Sequence, residues 1–375
     1  EEHRMTSTLT PQQRERLRAF GDALIDQQAA HPIIEPQERS PGFWFGGGTL
    51  VEAPDGTLYL SGRYRNYGDS RTGLNAGTRG WQLAIFASQD QGATFSKVVT
   101  FSKADLNTED SPVRSIEGSA LHLTPEGVEL YVSSEKGARA YPHDLQSYQK
   151  PGTGIWSIDR LVAPTIASLP EASIEPLLAS DDPRFLHVKD PFLYQTATKA
   201  LILGFCTHPY NWTSSNSGYA VRVTGAKSFS PPVFDFFRRG FTWDVGISRL
   251  TAFLRIPRVG LFAEGPTVTM AFYDGGESMR AYEQHQEAVR RPRGYSCEEI
   301  GGLAALTGEN LATIERLAIA TPAFVSRWGT GSSRYVDVLP TEAGFYATWE
   351  QSQPDGSQPL VMNFISRQEA VALLS

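Results

Sequence analysis

The spacing of apolar residues changes once along the chain, near residue 40. Before that point QQRERLRAFGDALIDQQAA repeats its apolar positions at helical intervals, with Thr10 placed to cap and Pro11 suited to the first helical turn. A polar, proline-containing connector follows, HPIIEPQERSPG. From there apolar and polar residues alternate in short runs broken by Gly, Pro, Asp and Asn, the pattern of strands joined by tight turns.

The runs gather into sets. FWFGGGTLVEAPDGTLYLSGRYR with WQLAIFASQDQGATFSKVVTF makes one set of four strands. SIEGSALHL, VELYVSSEK, GIWSIDRLV and the stretch to IEPLLAS make a second; FLHVKDPFLYQ, ALILGFCTH, GYAVRVTG and PPVFDFF a third. RLTAFLRIPRV, TVTMAFYDGG and the segment to about Leu306 form a fourth, and SSRYVDVLP, GFYATWEQS and PLVMNFIS the last. This spacing predicts an all-β fold, a five-bladed β-propeller, with residues 1–40 as N-terminal helix and connector and 41–375 as the propeller domain. A two-sheet sandwich is the competing arrangement, and it leaves the acidic residues at the starts of successive sets unexplained. Helical spacing in AYEQHQEAVRR and ENLATIERLA marks an insertion in blade four, at about 277–318, and SRQEAVALLS reads as a short terminal helix.

Composition narrows the function. With 34 basic and 41 acidic residues the net charge is −7, which argues against nucleic acid or an anionic membrane as partner. No apolar run reaches the length of a membrane span. No signal peptide is visible, but the opening EEHRM reads as residues ahead of the natural start; a removed export signal, and so a cytoplasmic or a periplasmic or secreted location, stays open. Cys206 and Cys297 have neither zinc spacing nor the makings of a disulfide framework. HExxH, phosphate-loop, Gly-x-Ser-x-Gly and EF-hand patterns are missing, so neither a cofactor nor a catalytic metal is expected, while a structural calcium stays open.

Three short motifs carry more. SQDQGATF, residues 88–95, has the form Ser-x-Asp-x-Gly-x-Thr-aromatic, in which Asp90 ties a turn between outer strands. It resembles the Asp-box of sialidases and is structural. Glu117 opens a strand in IEGSALHLTPEGVELYVSS, and Asp190 opens another in HVKDPFLYQTATKALILGF. These resemble the acid-bearing strand entrances of the five-bladed arabinanase- and xylosidase-type glycosidases and the Arg-Asp-Pro of invertases and levansucrases (glycoside hydrolase families 43, 32 and 68), with Ser119 in place of a Pro and Lys189 in place of the Arg.

The resemblance implies a central funnel in which one carboxylic acid donates a proton to the leaving oxygen and one carboxylate acts on water or the anomeric carbon. On that basis Glu117 is the expected general acid and Asp190 the base, nucleophile or orienting acid. The first blade's entrance, Phe45-Gly46-Gly47-Gly48, brings no carboxylate, so the third acid is sought at Asp244, then at Glu298 or Glu299. The alternative is that Glu117 and Asp190 are salt-bridged strand entrances.

Arg63 and Arg65 share a strand face and suit an anionic sugar, with Arg249, Arg255 and Arg334 able to join them. Trp44, His187, Lys189 and His208 complete the substrate-binding candidates, and Trp212, Trp243 and Tyr210 lie at strand ends or loops where a ring can stack on a sugar. The expected activity is a glycoside hydrolase acting on an oligosaccharide, with an acidic sugar favoured by the arginines. A propeller polysaccharide lyase, a sialidase-like enzyme and a non-catalytic sugar-binding propeller are the rivals.

Overall fold

The computed structural model describes residues 9–66, 79–212, 214–277 and 299–375. Five antiparallel sheets follow one another along the chain. Blade one holds β2 (Trp44–Gly46), β3 (Leu50–Glu52), β4 (Leu58–Arg65), β5 (Gly80–Ser88) and β6 (Ser96–Ser102). Blade two holds β7 (Val113–Thr124), β8 (Gly127–Lys136), β9 (Ile155–Ala163) and β10 (Ile174–Leu178). Blade three holds β11 (His187–Gln195), β12 (Leu201–His208), β13 (Asn216–Arg222) and β14 (Val233–Phe237). Blade four holds β15 (Ile247–Arg255), β16 (Val268–Gly276), β17 (Ile300–Thr307) and β18 (Glu315–Arg316). Blade five holds β19 (Ser333–Pro340), β20 (Gly344–Gln351) and β21 (Leu360–Ser366), and its outermost strand is β1 (His31–Ile34), paired with β21.

That last pairing corrects the boundary expected at residue 40. The connector supplies the strand that closes the ring, because β21 would otherwise present an unpaired edge. Helix α1 (Pro11–Leu24) begins as its sequence indicates, with Thr10 and Gln13 forming a reciprocal cap and Pro11 at the first position. Its face of Leu17, Phe20 and Leu24 enters the core between blades four and five, where helix α2 (Arg367–Leu374) adds Leu374, so neither helix is a separate unit.

Four further apolar clusters fill the remaining seams. Leu83 and Phe101 meet Leu130 and Leu161 between blades one and two. Tyr131 meets Phe205 between two and three, Phe192 meets Phe253 between three and four, and Phe45 and Leu60 meet Tyr346 and Met362 between five and one. A closed ring of seams leaves the inner strands β3, β7, β11, β15 and β19 in contact around an axis.

Of the expected insertion, residues 278–298, including AYEQHQEAVRR, Cys297 and Glu298, lie outside the described residues. The helix expected at ENLATIERLA is instead a short 3-10 turn, Leu311–Thr313, followed by β18. Leu317 is fully buried in the seam between blades four and five, so packing of an edge strand overrides the helical spacing. No described helix is long and apolar enough to cross a membrane.

Candidate functional site

Each inner strand is interrupted near its start. Register breaks fall between Ile116 and Ser119 in β7, Lys189 and Phe192 in β11, Leu250 and Ala252 in β15, and Arg334 and Asp337 in β19. In blade one the gap between β2 and β3 does the same, with Gly47 at φ +65°. A bulge bends its strand and turns a side chain out of the sheet. Gly47, Gly118, Asp190, Thr251 and Tyr335, one from each blade, consequently line a single axial cavity.

Two of these residues hold a left-handed backbone despite a large side chain: Asp190 at φ +56° and Tyr335 at φ +54°. Such strain costs about 1–3 kcal/mol per residue and needs support. The Asp190 amide donates to Ser133 Oγ at 3.1 Å, and the Tyr335 amide donates to both Asp274 oxygens at 3.1 Å. Gly118 is required beside Glu117, since a Cβ there would stand 2.7 Å from Asp190 Cα. Its amide instead donates to Asp190 Oδ1 at 3.2 Å.

Around the cavity, acids and bases alternate. Glu117 accepts from Arg63 Nε at 3.0 Å and from Arg65 Nη1 at 2.6 Å. Arg63 also reaches Glu350, which accepts from Arg334 Nε at 2.8 Å. Arg334 donates in turn to Glu299 at 2.6 Å, and Glu299 lies 3.0 Å from Arg249. Arg249 then bridges Asp274 at 2.6 Å, Asp190 at 3.1 Å and the Tyr335 hydroxyl at 3.1 Å. Lys189 ends the series, 3.5 Å from Asp190. Two of these pairs, Arg249 with Asp274 and Arg334 with Glu350, sit directly opposite one another across a ladder, so register alone fixes them.

Electrostatics divides the acids. Burial pushes the Glu117 carboxyl up, but Arg65 and Arg63 outweigh it and hold it well below the usual range. Glu299 is held low in the same way, by Arg249 and Arg334 against burial. Asp274 goes the other way: burial, helped by the neighbouring Glu299, raises it to about 7 despite Arg249. Glu117 is therefore ionised at neutral pH, the state of a base or nucleophile rather than of a general acid.

A neutral, aromatic wall adjoins Asp190. His187 and His208 are cross-strand partners on β11 and β12, and Trp212 stacks on His187 and meets His208 at a tilt, with ring centroids at 4.2 and 4.6 Å. Burial holds both imidazoles well below their ordinary pKa, so they are uncharged. Cys206, also buried, donates its thiol to Asp190 Oδ2 at 3.3 Å. On the other side, Trp44 lies beside Arg65 and Arg334, whose guanidinium carbons stand 5.6 and 5.5 Å from its ring.

The fold thus brings Glu117, Asp190, Arg63, Arg65, Arg249, Arg334, Glu299, Lys189, His187, His208 and Trp44 to one end of the axis. It separates others. Asp244 is not at the axis: Arg316 of the outermost strand β18 donates to it at 2.6 Å and the Tyr273 hydroxyl at 3.3 Å, which corrects its place as third acid. Arg255 pairs with Glu309 at the far end of β15, and Trp243 is buried against Tyr273. Asp90 ties the β5–β6 turn through Thr94 and Ser88, whose hydrogen bonds hold its carboxyl at about 2.

Sequence reading missed Glu350, Asp274 and Tyr335. The glycine run at the first blade's entrance was a signal for the first of these, because a Cβ at Gly46 would stand 2.4 Å from Glu350 Cγ. The carboxylate absent from that entrance arrives from blade five. Among the described residues no group of three or more His, Cys, Asp or Glu is arranged to hold a metal ion.

No family model matches the chain, and no curated protein matches it by sequence. Solved structures do. A protein described as a glycoside hydrolase superposes with TM-score 0.58 at 10% identity, over 95% of this chain and 95% of that one. An α-L-arabinofuranosidase from Lactobacillus brevis gives 0.57 at 10% identity, over 88% and 92%. The α-L-arabinofuranosidase of Fusarium graminearum, solved with an iminosugar inhibitor, gives 0.51 at 14% identity, over 91% and 98%. At these identities the likeness establishes a shared fold, the five-bladed β-propeller, over nearly the whole chain.

Proposed function

We propose that the chain is a glycoside hydrolase that binds its glycan across the axial mouth and cleaves it between Glu117 and Asp190. The observation that carries this reading is the pair of carboxylates set on inner-strand bulges of neighbouring blades and joined through the Gly118 amide. The propeller it shares with proteins named as glycosidases supports the same class.

Glu117, ionised between two guanidinium groups, is suited to activating water or attacking the anomeric carbon. Asp190 accepts from Arg249 at 3.1 Å, from the Gly118 amide and from the Cys206 thiol, so it is the second carboxylate, orienting substrate or water opposite Glu117. Asp274, raised to about 7, is the acid of the cluster that holds a proton near neutral pH. Glu299 and Glu350 keep the arginines aligned.

A polysaccharide lyase is the second reading. It is favoured by Tyr335, whose phenol faces Arg249 at 3.1 Å with the Arg63 guanidinium 5.0 Å from the ring; burial pushes that phenol up, so it would serve a lyase as proton donor to the leaving oxygen.

The test is to incubate the protein with neutral and uronate-containing oligosaccharides and follow new reducing ends and unsaturated products separately. Hydrolysis without unsaturation is expected. Asp190→Asn and Glu117→Gln should each lose activity on oligosaccharides and on an aryl glycoside with a good leaving group alike. Unsaturated products would favour the lyase, and activity untouched in both variants would overturn the site.

A further inference from the structure

We propose that Lys189 and Trp212 form a subsite for a sugar ring carrying a carboxylate, immediately beside Asp190. The inference rests on the reading that a glycan lies across the axial mouth, and it specifies what that glycan must bear.

Lys189 differs from the other cations of the cluster. Each arginine has a carboxylate oxygen at 3.0 Å or less: Arg63 and Arg65 on Glu117, Arg249 on Asp274, Arg334 on Glu299. Lys189 has one carboxylate contact, long at 3.5 Å, and among the described residues no hydrogen bond from Nζ accompanies it. Its ammonium stands over two indoles instead, 5.3 Å from Trp156 and 5.8 Å from Trp212, with 12% of the side chain exposed. Aromatic faces hold the cation in place and stabilise its charge, but they satisfy none of its three N–H donors. A nearly buried ammonium with donors unspent is costly alone and is met by an anionic oxygen from outside.

Trp212 supplies the surface for the rest of the ring. It is held at φ +56°, a left-handed conformation unfavourable for a large side chain. The stack on His187 and the tilted contact with His208 hold it there, and those rings are themselves fixed. His187 Nδ1 accepts from the Trp156 amide at 3.4 Å while Nε2 faces the Tyr141 hydroxyl at 3.0 Å, and His208 Nδ1 faces the Ser214 carbonyl at 3.1 Å. Trp212 remains only half-buried, so the histidines do not use up its ring. A strained, preorganised indole next to an underused ammonium matches a sugar with an apolar C–H face and a carboxylate at its rim.

The experiment is calorimetric titration of the full chain with glucuronate- and galacturonate-containing disaccharides and with the matching glucose and galactose disaccharides at low salt. At least one uronate should bind about 10- to 100-fold more tightly than its neutral counterpart, the range expected of one charge-assisted contact. Lys189→Met should abolish that preference and leave the neutral Kd within about twofold. Trp212→Ala should weaken both ligands alike, and Trp212→Tyr should recover part of the loss with the fold plainly intact. No preference for any uronate, a Lys189→Met loss equal on both ligands, or an indifferent Trp212→Ala would each overturn the subsite. Binding does not require turnover, so a uronate preference without hydrolysis would keep the subsite and remove the hydrolase reading. Hydrolysis of neutral glycans without the preference would do the reverse.

Discussion

Glu117 and Asp244 are both buried acids near the start of a strand, and both meet arginine at 2.6 Å. Their surroundings differ. Asp244 finds Tyr273 and Arg316 of blade four, and the only further hydrogen-bond partners of that arginine among the described residues are neutral, the Arg238 carbonyl and Ser248 Oγ. Glu117 reaches two arginines of the neighbouring blade, and through Arg63 and Glu350 it connects to blade five. An acid with a single cationic partner is a local tie; one linked to charged groups of three blades sits where the inner strands converge, next to Gly118, which lines the cavity that all five share. Both side chains are carboxyls, and the place on the ring separates a structural acid from a candidate catalytic one.

Breaking the axial side should have the largest effect. Glu117→Gln is expected to lower kcat by at least about 10²-fold on any glycoside, and to destabilise by about 3–5 kcal/mol by leaving Arg63 underpaired in a dry site. Denaturant melts beside steady-state rates read both, and normal turnover would return Glu117 to the status of Asp244. Gly118→Ala comes next: the added methyl must displace Asp190, so kcat should fall roughly tenfold or more for a stability loss of about 1–3 kcal/mol.

The comparison is sharpened by Asp244→Asn, which should lower stability by about 1–3 kcal/mol and leave kcat within about twofold. A large kcat loss there would mean that blade four's outer pair reaches the chemistry after all. A subtler effect lies in pH dependence. Asp274 has a folded pKa of about 7, above its unfolded value, so the folded state binds the extra proton. The stability it contributes is complete below the unfolded pKa and is lost as pH rises through about 7. Asp274→Asn should flatten that part of the stability–pH curve; an unchanged slope would assign the loss to another group. The smallest change is expected from Asp90→Ala, a melting midpoint lower by roughly 1–3 °C with unaltered kcat.

Much of the architecture was open to sequence reading because strand alternation, turn residues and helix caps are local. Thr10, Pro11 and Gln13 settle the start of α1 within one turn, and the five groups of runs correspond to the five sheets. ENLATIERLA misled because helical spacing over ten residues also fits a turn followed by a short edge strand, and the choice was made by burial of Leu317. The HPII segment gave no sign of its role, since its partner β21 lies more than three hundred residues further on.

By itself, then, the sequence determined the strands, their grouping and the two acids that open inner strands, because each depends on neighbours a few residues away. Tertiary structure decided the charge state and company of those acids. Arg63 meets Glu117 across 54 positions and Glu350 across 287, and no local pattern encodes such a meeting. Closure of the ring set Glu117 between two guanidinium groups, brought Glu350 into the space left by Gly46, and sent Asp244 outward. The pKa of a buried carboxyl follows the charges around it more than its own chemistry, and in a propeller those charges arrive from other blades.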